Sequence, residues 1–231
     1  MIDTLFAALR LLGSFDRTLV DIVWLSLRVS LTAVVLGALV GLPLGAWLAV
    51  AEFRGRNLLV VLVNGLMGLP SVVVGVVVYL ALSRSGPFGG LGLLFSPGAM
   101  VIAQMMLVVP LIAALTRQIV EDAWRDYAAE LQVMGFGRGQ SMLTLIHDCR
   151  HSLLVALLAG IGRAMSEVGA VMIVGGNIDH VTRVMTTAIA LETSKGDLPL
   201  AIALGIVLMT VVLALNAAAF HIRRWAMRRY A

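Results

Sequence analysis

Arg163, Ser166 and Glu167 fall within about one helical turn of each other in "GRAMSEVGAV", inside an apolar run from about 152 to 175. At four-residue spacing a guanidinium and a carboxylate share one face of a helix. Charges at membrane depth rarely face lipid, so each must meet a partner, a neighbouring helix or water. Two readings stand side by side: a neutral structural pair, or a pathway lining in which Glu167 masks Arg163, so that a solute is attracted weakly and then released. A second cluster, "HDCRH", sets His147 and His151 four apart around Cys149. It has metal-ligand spacing but no second pair of ligands. The scattered methionines, among them Met105, Met106, Met165 and Met172, read as pliable packing. The chain has no HExxH and no Ser-His or Asp pair suited to hydrolysis, which argues against an enzyme.

The elements that must position these residues are membrane helices. Hydrophobic residues make up 60% of the 231 and charged residues 13%, with a mean hydropathy of +0.99, so the composition lies outside that of soluble domains. No Asp, Glu, Lys or Arg occurs between Arg28 and Glu52, Arg56 and Arg84, Arg84 and Arg117, or Asp197 and Arg223. Each gap exceeds the roughly 20 residues that cross a bilayer. With 152–175 the count is five spans in one domain, 1–231, an all-α membrane protein. The net charge of +4 is spread among the spans rather than gathered into a patch, which excludes nucleic acid as a partner. Instead the arginines report topology: Arg54, Arg56, Arg117, Arg125, Arg138, Arg150, Arg223, Arg224, Arg228 and Arg229 lie in alternate connections. The excess places those connections in the cytoplasm, with the N-terminus outside and the C-terminus inside. Ile2, Leu5, Phe6, Leu9 and Leu12 recur at helical spacing, as in a helix lying in the membrane interface, and no cleaved signal is read there. Cys149, the single cysteine, excludes an intramolecular disulfide.

Within the spans, Gly37, Gly41 and Gly45 put a smooth ridge on the first helix, where another backbone can approach. Pro43, Pro70 and Pro110 mark either flexing helices along a pathway or local kinks satisfied by neighbours. Five helices hardly enclose a path for a hydrated solute, so a symmetric dimer is the expected assembly.

The cytoplasmic connection 117–151 is far longer than a turn requires. Ile119, Val120, Ala123, Trp124, Tyr127, Ala128, Leu131 and Met134 form one helical stripe, with Glu121, Asp122, Arg125, Asp126 and Glu130 off it. Gly135-Phe136-Gly137-Arg138-Gly139 then ends that helix. A second begins near Gln140, and its stripe of Met142, Ile146, Cys149, Leu153 and Leu157 is expected to run on into the fourth span. Such a helix pair passes an external push into the bilayer. The chain has no GxxxxGK[ST] loop, and its one lysine, Lys195, lies on the outer side, so any ATPase is a separate subunit. Outside the fourth span, Asn177, Asp179, His180, Thr182 and Arg183 read either as a docking surface or as part of a cap on the bundle.

The stretch "AELQVMGFGRGQSMLTLIHD" resembles the cytoplasmic EAA-type motif of ABC importer permeases, with Ala129-Glu130-Leu131 at the Glu-Ala-Ala triplet and His147-Asp148 at the closing Leu-Pro. "GRAMSEVGAVMIVGGNI", "TRVMTTAIALETSKGD" and "LSRSGPFGGLGLLFSPGAM" extend the resemblance to the permease subunits of tungstate importers, over nearly the whole chain. Molybdate permeases share a sparser form. The resemblance implies a type I importer permease-like fold: about five transmembrane helices, an N-terminal interfacial helix and a cytoplasmic coupling helix pair. It implies a multi-pass protein of the prokaryotic inner membrane, embedded in lipid. Its partners would be a second copy of this chain, cytoplasmic ATP-binding subunits and an extracytoplasmic oxyanion-binding protein. It implies no cofactor in this chain, with ATP bound by the partner subunit. Asp126, Ala129, Glu130, Gly135, Phe136, Gly137 and Arg138 would contact the ATPase, with Asp126 and Glu130 alternatives for the acidic contact. Arg163, Ser166 and Glu167 would line the pathway. Tungstate is the first cargo, molybdate or another oxyanion the second; a channel or scaffold that uses no ATP is the reading from a different class.

Overall fold

Apolar runs without charge favour continuous helix, and proline and glycine decide where it stops. A computed structural model of the chain describes residues 17–230. The amphipathic stretch at Ile2, Leu5, Phe6, Leu9 and Leu12 lies outside the described residues. The described residues form helices α1 (Arg17–Val50), α2 (Arg56–Met67), α3 (Ser71–Leu82), α4 (Pro97–Val133), α5 (Arg138–Asp148), α6 (Arg150–Met165), α7 (Gly169–Gly175), α8 (Met185–Lys195) and α9 (Leu198–Tyr230), with no strand among them. Three of these, α1, α4 and α9, are long and apolar enough to cross a membrane, and the count rises to five if two bent pairs each make one span.

One bent pair falls at a proline that the sequence set within the second span; the other corrects the expectation that the second helix of the 117–151 segment runs on into the fourth span. α2 and α3 have 12 residues each, about 18 Å of helix, and meet at a 100° bend. The cause is Pro70: it donates no N–H and excludes Leu69 from helical geometry, so the chain restarts at Ser71. Pro43 and Pro110, in contrast, lie inside the continuous helices α1 and α4. α5 and α6 meet at 77°, so the second helix of the coupling segment does not run straight into the fourth span. At this bend the Arg150 guanidinium donates to the His147 carbonyl at 2.8 Å, satisfying a group freed by the turn. The first helix of the coupling segment is not separate either. α4 carries the third span and the helix that follows it as one helix of 37 residues, about 55 Å long, against a hydrocarbon core of roughly 30 Å.

The described chain packs as two compact units drawn from alternating segments, one holding residues up to 33, 70–104 and 164–216, the other 34–69, 105–163 and 217 onward. In the second, the glycine ridge of α1 lies against α4. A Cβ on Gly45 would stand 2.3 Å from the Ala113 carbonyl oxygen, closer than any side chain tolerates, and one on Gly41 would stand 3.0 Å from Ile112. Ala46, Ala49 and Val50 at the end of α1, Val120 and Leu131 of α4, and Leu145 of α5 form a buried cluster, with Ala123, Trp124, Met142 and Ile146 packed on it. In the first unit, α3 packs on α7, where a Cβ on Gly75 would stand 2.8 Å from the Ala170 Cα. Val74, Val78, Ala170, Val171 and Val174 are buried there.

Candidate functional site

The coupling segment is built on the buried cluster of the second unit. Four of the stripe residues, Val120, Ala123, Trp124 and Leu131, face it, while Tyr127 and Met134 of the same stripe are exposed. At the tip the chain ends α4 with a Schellman motif: Gly135 takes φ +77°, and the Phe136 N–H donates to the Leu131 carbonyl at 3.0 Å. Only glycine adopts that left-handed angle without strain. The Gln140 side chain then reaches back to the Gly137 N–H at 3.2 Å and starts α5. Asp126, Ala129, Glu130, Gly135, Phe136, Gly137 and Arg138 are all exposed, and they are held on a pedestal whose Leu145 is 1% exposed. Apolar Val133, Met134 and Leu143 are exposed beside them. Arg138 donates to the Glu52 carboxylate at 2.8 Å, tying α5 to the segment that follows α1.

Two arginines read from the sequence as reporters of topology have a further task. Arg56 donates through Nε to the Leu48 carbonyl at 2.8 Å, closing the C-terminus of α1, and through its other arm to Glu121 at 3.1 Å. Arg117 also donates to Glu121, and Arg125 lies 3.9 Å from it, so one half-buried carboxylate gathers three guanidinium groups. Beyond the tip, burial and the neighbouring Asp148 carboxylate push the Cys149 thiol above its ordinary pKa, which suits a spectator.

The second group of candidate residues sits where a helix is interrupted. α6 ends at Met165, Ser166 to Val168 are not helical, and α7 begins at Gly169. The expectation of one continuous helix through Arg163 and Glu167 is therefore corrected. Arg163 occupies the last turn of α6 and is half-buried, Ser166 is exposed, and Glu167 lies in the break, 3% exposed. The Glu167 Oε1 accepts the Ala170 N–H at 3.0 Å, and its carbonyl accepts the Thr186 hydroxyl at 2.8 Å. Ala164, on the other side of the break, accepts a hydrogen bond from the Gln104 amide at 3.0 Å.

These contacts belong to a buried polar layer in the first unit. Gln104 also lies 3.5 Å from the Ser30 hydroxyl; Ser26 donates to the Ile22 carbonyl at 2.6 Å and accepts the Met185 N–H at 2.7 Å. Ser26, Ser30, Gln104, Ala164 and Thr186 border a cavity of about 10 Å³, the size of one water. Sequence reasoning missed Gln104 and Thr186. Gln104 did carry a signal: it is an amide in the charge-free run between Arg84 and Arg117, and such a group in an apolar helix needs a partner. Thr186 carried none, because its partner is set by tertiary packing. Of the outer residues, Thr182 is buried and ties its loop to the Gly175 carbonyl at 2.6 Å, whereas Asp179 and His180 are exposed and Arg183 pairs with Asp179 at 2.9 Å.

An all-helical membrane chain with an exposed helical tip on a packed pedestal can now be set beside known proteins. No family model matches the chain. It is similar to the tungstate uptake system permease protein TupB of Peptoclostridium acidaminophilum, 42% identical over 94% of this chain and 95% of that protein. A probable anion ABC transporter permease protein of Haloferax volcanii is 41% identical over 89% of this chain and 91% of its own length. The tungstate uptake permease TupB of Campylobacter jejuni is 34% identical over 94% and 91%. Since the likeness runs through the coupling segment, the broken helix and the apolar spans alike, the chain belongs to the family of ABC-type tungstate uptake permeases.

Proposed function

We propose that this chain is the membrane-spanning subunit of an ATP-driven importer of tungstate, acting as a homodimer with two cytoplasmic ATP-binding subunits and an extracytoplasmic oxyanion-binding protein. It is the non-catalytic, cofactor-free part of that machine, a single permease domain of the prokaryotic inner membrane with its N-terminus outside and its C-terminus in the cytoplasm. The observation that carries the mechanism is the tip of the coupling segment: Ala129, Glu130 and Gln132 to Arg138 are exposed, while Leu131 and Leu145 are buried. An exposed knob on a packed base moves as one piece with the helices that hold it. Closure of the ATP-binding subunits on Asp126, Ala129, Glu130, Gly135, Phe136, Gly137 and Arg138 is thereby passed to α4, α5 and α6. Arg163, Ser166 and Glu167 line the pathway, where a basic and an acidic side chain together attract a divalent oxyanion without trapping it. Alternating access follows from reorientation of the two copies.

The test is tungstate uptake by proteoliposomes carrying the whole transporter, with Gly135→Leu as the variant. A left-handed Leu strains the tip alone, so ATP hydrolysis should persist while uptake falls by about tenfold or more. Ordinary uptake in that variant removes the lever. Uptake of molybdate in preference to tungstate reassigns the cargo.

A further inference from the structure

We propose that the break at Ser166–Val168 is a reversible hinge, and that Gln104 and Thr186 are its latches. The consequence for transport rests on the reading of Ser166 and Glu167 as pathway residues; the hinge itself does not. In an uninterrupted helix the Ala164 carbonyl accepts the Val168 N–H, the Ser166 carbonyl accepts the Ala170 N–H, and the Glu167 carbonyl accepts the Val171 N–H. Here side chains engage a member of each pair. Gln104 Nε2 donates to the Ala164 carbonyl at 3.0 Å, Glu167 Oε1 takes the Ala170 N–H at 3.0 Å, and Thr186 Oγ1 donates to the Glu167 carbonyl at 2.8 Å. The Glu167 N–H makes a long, tighter-wound contact to Ala164, at 3.4 Å.

The local sequence does not demand this interruption. Between α2 and α3 the chain breaks beside a residue with a local reason to break it, Pro70, which supplies no N–H to the ladder. Met165-Ser166-Glu167-Val168 contains neither proline nor glycine, and Gly169, which follows, is itself helical. What keeps α6 and α7 apart therefore comes from α4 and α8, through contacts that a small movement of either helix releases. Helix breaks without an obligate breaker, satisfied by neighbouring side chains, are a form irregular backbone takes at membrane depth.

Two further observations fit a structure with a second state within reach. Gln104 is 3% exposed and lines the water-sized cavity, yet its Oε1 accepts no hydrogen bond from any described residue, so the latched arrangement leaves one buried acceptor poorly served. Ser166 and Val168 are exposed while Ala164, Met165, Glu167 and Ala170 around them are buried, so the bending residues have room and their neighbours do not. Releasing Gln104 and Thr186 lets the ladder re-form, joins α6 to α7, and turns the Glu167 carboxylate away from the Ala170 N–H. The hinge thus changes the orientation of both Ser166 and Glu167 in one step.

The experiment is hydrogen–deuterium exchange on the full chain in lipid nanodiscs, resolved over residues 164–172, for Gln104→Met, Thr186→Val and Thr186→Ser. Each of the first two removes one latch at nearly constant volume. Exchange at the Val168 and Val171 amides should slow by about tenfold as they regain carbonyl partners, and Thr186→Ser, which keeps the hydroxyl, should match the unaltered chain. Unchanged or faster exchange in Thr186→Val, with the protein still monodisperse, overturns the hinge. The readout uses neither cargo nor ATPase. Slowed exchange in a chain that imports no tungstate would leave the hinge standing and sink the functional reading instead.

Discussion

The coupling end of the second unit and the broken helix of the first solve opposite problems. Around Leu131 and Leu145 the helices are fixed by apolar burial and by the approach of the α1 glycine ridge to α4. Around Ser166–Val168 the backbone is fixed by individual hydrogen bonds from Gln104, Thr186 and Glu167, each of which has a helical competitor. Close packing transmits displacement because it cannot yield by small amounts. Exchangeable hydrogen bonds permit displacement because little is lost when one partner replaces another. The difference suits one region to the proposed push and the other to the proposed bending.

Leu145→Ala attacks the packed region hardest. The hole it leaves should cost about 3 kcal/mol, read as a lower melting temperature in detergent, and a loss below about 1 kcal/mol would mean that the pedestal collapses around the gap. Gly45→Ala comes next: its added methyl has the Ala113 carbonyl in its way at 2.3 Å. We expect about 2 kcal/mol of destabilisation from overpacking; a neutral result would show that α1 and α4 slide apart freely. In the polar region, Thr186→Val should cost only about 1 kcal/mol by chemical denaturation in nanodiscs, the low end for a buried hydrogen bond, since the Glu167 carbonyl has the ladder to return to. A cost as large as that of Leu145→Ala would erase the contrast between the regions. The smallest effect is expected for Arg138→Ala. Its pair with Glu52 is 60% and 78% exposed on the two sides, so stability should change by less than about 0.5 kcal/mol, while recovery of the ATP-binding subunit in a mild-detergent pull-down drops.

Much of the geometry of the tip was legible because its signals are local. Gly135 follows a helical stripe and precedes another, and a left-handed residue is what such a junction needs. The ridge of Gly37, Gly41 and Gly45 announced a close approach and found α4. Legibility failed where two local signals looked alike and their surroundings differed. Pro43 and Pro110 were absorbed into long helices, and Pro70 ended one. The Arg163–Glu167 spacing suggested one face of one helix, but the helix stops at Met165.

The sequence by itself determined the membrane class, the helical character of the spans and the position of the glycine turn at the tip, because hydropathy and glycine placement act over a few neighbouring residues. Only the tertiary structure decided that the helix after Arg163 is broken. The groups that hold the break open stand far along the chain, Gln104 60 residues before Ala164 and Thr186 19 residues after Glu167. A hydrogen bond that displaces a helical one leaves no mark in the local pattern; it exists only where folding brings the donor within reach of the carbonyl.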